Sequence, residues 1–320
     1  VGFNSRVYDV PMLFAARSGL STKELKTLSD EIIKDSVSIA RSEKKWRFKV
    51  GFCNHIDIQE VAPGVMIGLK HYAGRMHLEK LQDLPFDPNL DLTEEQAIEI
   101  RSYCKNDLEV TAYLYSRLEQ SIKLREQMGL DYELDLRSKS DAQIAESVLK
   151  NEIESRKCKR ISRPKKDSTA ILKYKVPDYI KPKTESLKSV LQIIKKAEFE
   201  LDEGGRPKMP DSIRKAKIQI GSSVYNMGIG GLHSTEKKQC FVSNDEYILV
   251  DRDVASYYPQ IILNQRLYPD HIGKEFLDVY QSIVDKRLKA KATLGKIAKS
   301  TADSLKITIN GAFGKLGSQY

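Results

Sequence analysis

An apolar run at residues 247–250 (YILV) predicts a β-strand. Side chains along a strand repeat every two residues, so Asp251 and Asp253, which follow the run, should project from one face. Pro259 then fixes its own backbone, restricts Tyr258 to an extended or turn conformation, and can start a helix at its first position. The pattern indicates a metal site at a strand end, followed by a turn that offers free amides to an anion.

Longer stretches follow a helical pattern. Residues 93–96 (TEEQ) form a capping box, which opens a helix that continues through Ile122 and that Gly129 can end. Further helical patterns lie at residues 137–152, with a cap near Ser140, at 185–200, at 276–299, and from about 301 to Gly314. Short β-like runs such as residues 56–58 lie between them.

Composition allows a chain with two domains and a polyanionic partner. The 320 residues carry 53 Lys and Arg against 44 Asp and Glu, a net charge of +9 and a pI near 9.1. Cys53, Cys104, Cys158 and Cys240 are far apart and form no C-x-x-C pair, so they suggest neither a disulfide framework nor a zinc ribbon and favour a reducing compartment. The sequence opens on Val1 inside a patterned segment, and we interpret it as a piece of a longer protein.

Hydropathy predicts a soluble, cytoplasmic protein with no membrane partner. No uninterrupted apolar stretch approaches the roughly 20 residues that cross a bilayer, and no signal-peptide pattern is present. If the protein is encoded by a phage, this compartment is the cytoplasm of the host cell.

Three side chains in the first third of the chain are candidates for metal chemistry. Asp9 follows a predicted strand-to-helix junction, where its carboxylate could face a shallow cleft or cap the helix. Tyr103 and Asp107 are four residues apart on a predicted helix, with roughly 5–6 Å between their Cβ atoms. A phenol beside a carboxylate can orient water on a metal, although an exposed pair on an amphipathic helix shows the same spacing.

Basic residues form two kinds of pattern. The cationic, proline-broken region at residues 156–183 is either a solvated surface or a set of phosphate contacts, and the sequence favours neither. Arg287 and Lys291 share a helix face at i, i+4, where they could grip a triphosphate. Lys306, Asn310 and Phe313 share a face of the last predicted helix.

Residues 253–259 (DVASYYP) resemble motif A, D-x-x-S-x-Y-P, of the family B DNA polymerases, and are similar to the bacteriophage enzymes. The resemblance implies that Asp253 is a catalytic residue that binds both magnesium ions. It also implies that Tyr258 packs under the sugar and excludes a ribose 2′-hydroxyl. The nucleotide-binding backbone it implies consists of Val254, Ala255, Ser256 and Tyr257.

The start of the chain resembles the proofreading 3′-5′ exonuclease of the same family. G-x-N-x-x-x-Y-D at residues 2–9 is similar to its second motif, and Y-x-x-x-D at Tyr103 and Asp107 to its third. The resemblance implies that Asp9 and Asp107 bind metal, that Tyr103 positions the attacking water, and that Asn4 lies near the substrate strand. The first motif, a D-x-E pair, is expected before Gly2.

Two further matches follow the same order. Glycines 228, 230 and 231 resemble the Y-x-G-G linker, with Gly228 in place of its tyrosine, which implies template contact by Gly230 and Gly231. Residues 306–314 (KITINGAFG) are similar to motif B, K-x-x-x-N-S-x-Y-G, with Gly311 for the serine and Phe313 for the tyrosine. The residues implied to act in the fingers are Lys306 (catalytic and phosphate-binding), Arg287 and Lys291 (phosphates), Asn310 (nucleotide), and Phe313 and Gly314 (DNA).

The resemblance implies an α/β (α+β) chain in which a ribonuclease H-like exonuclease precedes a family B palm and helical fingers. The implied boundaries are exonuclease 1–128, connecting region and start of the palm 129–245, palm with motif A 246–272, and fingers with motif B 273–320. The implied enzyme extends primer-template DNA with deoxynucleoside triphosphates. It uses two Mg²⁺ ions per active site, for which Mn²⁺ can substitute, and a processivity or priming protein is a further implied partner.

Motif C is expected beyond Tyr320, so the isolated chain is expected to be inactive. A stand-alone exonuclease with a basic extension and an inactive DNA-binding remnant are the alternatives.

Overall fold

The computed structural model describes residues 1–62, 67–162, 170–202, 206–229, 231–254 and 256–316. Its contacts divide the chain into two units, Val1–Asn151 with Ile283–Gly311, and Glu152–Ser282 with Ala312–Tyr320. The described chain is mixed α/β, with long helices and two small antiparallel sheets. Both sheets lie in the second unit.

The helices are α1 Asp9–Arg17, α2 Thr22–Ile33, α3 Ile39–Trp46, α4 Leu69–Arg75, α5 Glu94–Tyr132, α6 Asp141–Lys157, α7 Glu185–Lys196, α8 Asp211–Arg214, α9 Tyr257–Asn264, α10 Glu275–Ala292 and α11 Lys296–Leu316. The strands are β1 Leu172–Lys173, β2 Glu198–Phe199, β3 Lys217–Ile220, β4 Ser223–Gly228 and β5 Gly231–Ser234.

Two apolar clusters organise the start of the first unit. One packs α1 against α2 through Ala15, Leu28 and Ile32. The other joins residues 56–62 to α4 and α5, and its buried members are Ile56, Ile58, Val61, Ala62, Tyr72, Leu114, Leu118 and Ile122. The apolar face of α5 is therefore fixed by contacts with segments that lie far away in sequence.

The predicted capping box of α5 is confirmed. The Gln96 amide donates to Thr93 Oγ1 at 3.3 Å, and the Thr93 amide donates to Gln96 Oε1 at 2.9 Å. These bonds satisfy two backbone donors that a helix start leaves free. Local chemistry thus sets the beginning of the longest helix.

The prediction that Gly129 ends α5 is wrong. The helix continues to Tyr132, and Glu133 takes the left-handed conformation with φ 53°. Gly129 is needed for a close approach, because a Cβ at this position would lie 2.5 Å from the Leu134 carbonyl oxygen. The Leu134 amide also donates to the Gly129 carbonyl at 2.9 Å, which closes the chain back onto the helix.

Arg125 ties α5 to the start of α6. Its side chain is 4 % exposed, and it donates to the Lys139 carbonyl at 2.9 Å and to Asp141 Oδ1 at 2.7 Å. Burial lowers the pKa of Arg125, and Asp141 opposes that effect. The predicted cap near Ser140 is confirmed, since the Ser140 amide donates to Gln143 Oε1 at 3.1 Å. Helix α6 begins at Asp141 rather than 137.

The second unit contains the sheets. Strand β1 pairs with β2, and β3, β4 and β5 form an antiparallel meander in which Ile218 faces Tyr225 and Gly228 faces Gly231. Gly221, with φ 60°, lies in the turn between β3 and β4. The helical pattern at 185–200 is confirmed as α7, although it ends at Lys196.

The strand predicted at residues 247–250 is not formed among the described residues. These four side chains are 57–82 % exposed. Asn244 Oδ1 accepts the amides of Glu246 and Tyr247 at 3.0 and 2.8 Å, and the Asn244 amide donates to the Tyr247 carbonyl at 3.0 Å. A strand needs hydrogen bonds from a neighbouring strand, whereas these bonds make a local turn. Asp251 and Asp253 consequently do not share a strand face.

The prediction for Tyr258 and Pro259 is also corrected. Tyr258 is helical, and Pro259 occupies the third position of α9 rather than the first. The first amides of a helix have no intrahelical acceptor, so the missing N–H of Pro259 removes no bond there. Ser256 precedes the helix in the left-handed conformation, with φ 53°.

The basic helix predicted at 276–299 is divided. Helix α10 ends at Ala292 and α11 begins at Lys296, with Gly295 at φ 127° between them. Gly314 does not end the last helix, which continues to Leu316. Because its φ is not positive, Gly314 does not supply the left-handed residue that a glycine terminator provides.

Candidate functional site

Asp57 organises the turn that carries Asn4 and Asp9. Asn4 has φ 56°, and its amide donates to Asp57 Oδ1 at 2.9 Å. The Arg6 amide donates to Asp57 Oδ2 at 2.9 Å, and Asp57 itself is 6 % exposed. A buried carboxylate needs such donors, and it holds the candidate residues 4–9 against residues 56–58.

Sequence reasoning missed this role of Asp57. The only available signal was an acid between two apolar residues, Ile56 and Ile58, in a short β-like run. The structure forms an isolated parallel bridge there, between Gly2 and Asp57. A carboxylate between buried neighbours needs hydrogen-bond donors or a cation, and this requirement could have identified Asp57 as a structural residue.

Asp9 begins α1, and its carboxyl group is influenced by both Asp57 and His55. The residue as a whole is exposed, but surrounding protein partly desolvates its carboxyl group, which raises the pKa of Asp9. The Asp57 carboxylate raises it further, whereas the amide of Asp9 and His55 act in the opposite direction. His55 Nε2 lies 2.6 Å from Ser5 Oγ, and burial lowers the pKa of His55. Bringing a cation to Asp9 would relieve this repulsion.

Tyr103 and Asp107 are neighbours on α5, as the spacing predicts. The Tyr103 side chain is hydrogen-bonded to Asp107, and burial followed by this bond raises the pKa of Tyr103. Lys70 Nζ lies 5.7 Å from the centre of the Tyr103 ring and also donates to Asp83 Oδ1 at 2.7 Å. The phenol is therefore kept neutral and oriented by a carboxylate, with a cation over its face.

The described residues do not complete a metal centre. They contain no group of three or more His, Cys, Asp or Glu side chains placed to hold a metal ion. Asp9 and Asp107 are the two carboxylates assigned to the exonuclease site. They do not by themselves supply the ligands of a two-metal nuclease centre, for which the resemblance requires the D-x-E pair as well.

The motif A residues are accessible. Asp253 and Val254 are exposed, Ser256 is half-buried, and Ala255 lies outside the described residues. Magnesium in nucleotide sites is held by one or two carboxylates together with waters and substrate phosphates, and an exposed carboxylate such as Asp253 fits that use.

Tyr258 stacks on Phe313. The ring centroids are 4.0 Å apart and the planes differ by 25°, and Tyr257 lies beside Tyr258 with centroids 5.5 Å apart. Both partners belong to the second unit. The structure thus brings together two rings that the resemblance assigns to motif A and motif B.

The residues that the resemblance assigns to the fingers are not all exposed. Arg287 and Lys291 lie on α10, while Lys306 and Asn310 lie on α11, and all four belong to the first unit. Lys291, Lys306 and Asn310 are exposed, whereas Arg287 is half-buried. Within the part of the chain that the structure describes, Arg287 Nε is buried without a hydrogen-bond acceptor.

Gly311 is a packing residue. A Cβ there would lie 2.6 Å from the Asp141 carbonyl oxygen and 2.8 Å from the Ala145 Cβ. Helix α11 therefore approaches the start of α6 too closely for any side chain. This contact explains a glycine where motif B has serine.

The glycines of the linker flank a cavity of the second unit. Gly228 and Gly231 help to line an apolar cavity of about 790 Å³ among α7, α8 and strands β1, β2 and β4. Gly231 has φ 145°, and Gly230 lies outside the described residues. No contact described there distinguishes a template site from a turn.

No protein-family model, curated protein or solved structure matches the chain. Among the described residues, none of the helices combines the length and the apolar character needed to span a membrane.

Proposed function

We propose that this chain is part of a family B DNA polymerase of the bacteriophage type and that it carries residues of both the polymerase and the proofreading exonuclease. The observation that carries the proposal is the stacking of Tyr258 on Phe313 at 4.0 Å. The two rings belong to segments that are remote in sequence and that the resemblance assigns to motifs A and B. A nucleotide site shared by both motifs would account for their contact.

The proposed reaction is attack of a primer 3′-hydroxyl on the α-phosphate of a deoxynucleoside triphosphate. Asp253 would hold magnesium, which when bound stabilises the entering and leaving oxygens. Tyr258 would lie under the sugar, where its ring leaves no room for a 2′-hydroxyl. The resemblance assigns Lys306 to the triphosphate and Asn310 to the nucleotide, and both residues are exposed.

The proposed exonuclease uses the turn at Asn4 and the pair on α5. Asp9 and Asp107 would bind metal, and Asp107 would also orient Tyr103 through the hydrogen bond between their side chains. The Tyr103 phenol can then hydrogen-bond the attacking water. A ribonuclease H-like domain remains the fold we propose for this region.

The partners proposed for the parent polypeptide are primer-template DNA and deoxynucleoside triphosphates, with a processivity or priming protein in addition. The net charge of +9 supports a polyanionic partner. The proposed location is the cytoplasm.

The test compares Asp253→Asn with Asp251→Asn in the polypeptide that contains this chain. Primer extension with Mg²⁺ and a gel-shift measurement of primer-template binding are the two readouts. Both aspartates are exposed and two residues apart, so the second variant is a matched control. We expect Asp253→Asn to abolish extension with binding retained, and Asp251→Asn to extend normally.

Extension by Asp253→Asn at the normal rate would overturn the assignment. Degradation of 3′ ends by the parent with no extension would indicate a stand-alone exonuclease. Binding that ignores both magnesium and nucleotide would indicate a DNA-binding remnant.

A further inference from the structure

Residues 170–183 combine cations with exposed rings. This segment holds four lysines and one acid, Asp178. Tyr174 is 44 % exposed and Tyr179 is 63 % exposed. The segment is anchored at its start, where Leu172 and Lys173 in β1 pair with Phe199 and Glu198 in β2. Neither the polymerase motifs nor the exonuclease motifs use it.

A cleft of about 430 Å³ lies along this segment. Its lining includes Tyr174, Pro177, Asp178, Ile180, Lys181 and Lys195, the last of which comes from α7. Burial raises the pKa of Tyr174, and the Tyr179 phenol adds to the effect. One tyrosine and two lysines therefore line one concave site, and Tyr179 lies between two of its lining residues, Asp178 and Ile180.

Several of these lysines are available to an anion. Lys173 is paired with Glu198 at 2.9 Å. By contrast, no carboxylate of the described residues lies within 4.0 Å of the ammonium groups of Lys175, Lys181 or Lys195. Unpaired cations beside exposed aromatic faces are the combination that tracks a phosphate backbone while its bases stack.

We propose that Tyr174, Tyr179 and the lysines around them form a binding site for single-stranded nucleic acid. A duplex hides the faces of its bases within the helical stack, so it could use only the lysines here. A single strand can also lay its bases on the two rings. Stacking does not depend on base identity, and the site should therefore show little sequence preference.

This site does not depend on the proposed polymerase function. It involves neither Asp253 nor Tyr258, and its binding reaction needs neither magnesium nor nucleotide. Failure of one proposal leaves the other standing, and measurements in EDTA separate them.

The experiment measures binding of the full chain, in EDTA, by fluorescence anisotropy of three labelled probes. They are a 16-nucleotide oligo-dT, an oligo-U of the same length, and a DNA duplex of the same length. The variants are Tyr174→Ala and Tyr179→Ala, the same positions changed to Phe, and Tyr113→Ala as an exposed tyrosine on α5. Thermal unfolding of each variant establishes that it folds as the wild type does. The Phe variants keep the ring, so they separate stacking from loss of the hydroxyl.

We expect each Ala variant to weaken single-strand binding about tenfold, since stacking contributes about 1–3 kcal/mol per base. The Phe variants and Tyr113→Ala should bind as the wild type does, and the duplex should bind more weakly. Replacing Lys175, Lys181 and Lys195 together with Gln should reduce the salt slope by about 2. The tighter of the DNA and RNA arms identifies the natural strand.

Three results would overturn the proposal. One is a wild-type chain that does not bind either single strand. Another is unchanged binding by both Tyr174→Ala and Tyr179→Ala, which would leave a purely electrostatic surface. The last is a loss in the Phe variants equal to that in the Ala variants, which would show that the rings do not stack.

Discussion

Tyr258 in α9 and Phe313 in α11 stack with ring centroids 4.0 Å apart. Packed aromatic pairs can be stabilised beyond the burial of their surface. The contact therefore links the turn after Asp253 to the end of the last helix, and it has both a structural and a functional consequence.

The first prediction concerns the energy of this pair. Single and double Ala variants of Tyr258 and Phe313 should show a coupling of about 0.5–1.5 kcal/mol, because each single change already removes the stacking. Urea unfolding of the four proteins measures it. The control cycle combines Phe313→Ala with Tyr247→Ala, because Tyr247 is 68 % exposed. The effects of these two changes on stability should add. Additive effects for Tyr258 and Phe313 would contradict the stacking.

The second prediction concerns the two glycines of α11. Gly311→Ser should destabilise the protein by about 1–3 kcal/mol, because the new side chain would meet the Asp141 carbonyl and Ala145. Gly314→Ala is the matched control. No atom lies within 4 Å of a Cβ built at Gly314, and alanine favours a helix by up to about 1 kcal/mol over glycine. Equal urea midpoints for Gly311→Ser and the wild type would contradict the prediction, because they would show that the neighbouring atoms can move to accommodate the side chain.

The local parts of this fold could be predicted from the sequence. The start of α5 follows from Thr93 and Gln96, and the cap before α6 follows from Ser140 and Gln143, because in each case the partners are three residues apart. The neighbouring positions of Tyr103 and Asp107 follow from helical spacing in the same way.

The parts that failed depend on contacts that the sequence pattern does not show. Residues 247–250 have the composition of a strand, but a strand forms only with a partner, which sequence pattern does not supply. Gly129 looks like a terminator, yet it accommodates the Leu134 carbonyl. The role of Asp57 rests on bonds to Asn4 and Arg6, more than fifty residues away.

The third prediction concerns Tyr103 and rests on the proposed exonuclease. In the parent polypeptide, Tyr103→Phe should slow 3′-5′ degradation of single-stranded DNA by about 10²-fold, because it removes the hydroxyl that would position water. Primer extension should be unchanged. Tyr113→Phe is the control, since Tyr113 lies on the same helix and its hydroxyl accepts a bond from Arg117. Equal degradation rates for Tyr103→Phe and the wild type would remove Tyr103 from the mechanism.

The fourth prediction concerns the pH dependence of stability at Asp9. Partial burial and the Asp57 carboxylate raise the pKa of Asp9 above its ordinary value of 3.8. The folded protein therefore binds the Asp9 proton more tightly than the unfolded chain, and the charged form costs stability at every pH above the raised pKa. That cost is relieved as the pH falls through the raised pKa towards 3.8. A neutral side chain should avoid it altogether.

Asp9→Asn should accordingly be more stable than the wild type at pH 7, by no more than about 0.5 kcal/mol for so exposed a site, and the difference should shrink towards pH 4. Urea unfolding at several pH values measures it. Glu24→Gln serves as a control of opposite sign, because hydrogen bonds from Ser21 lower the pKa of Glu24. The stability supplied by Glu24 is present above its ordinary pKa of 4.5 and is lost as the pH falls through the lowered value. A wild type more stable than Asp9→Asn at pH 7 would show that Asp9 is stabilised by its surroundings, and it would remove the electrostatic reason for a cation there.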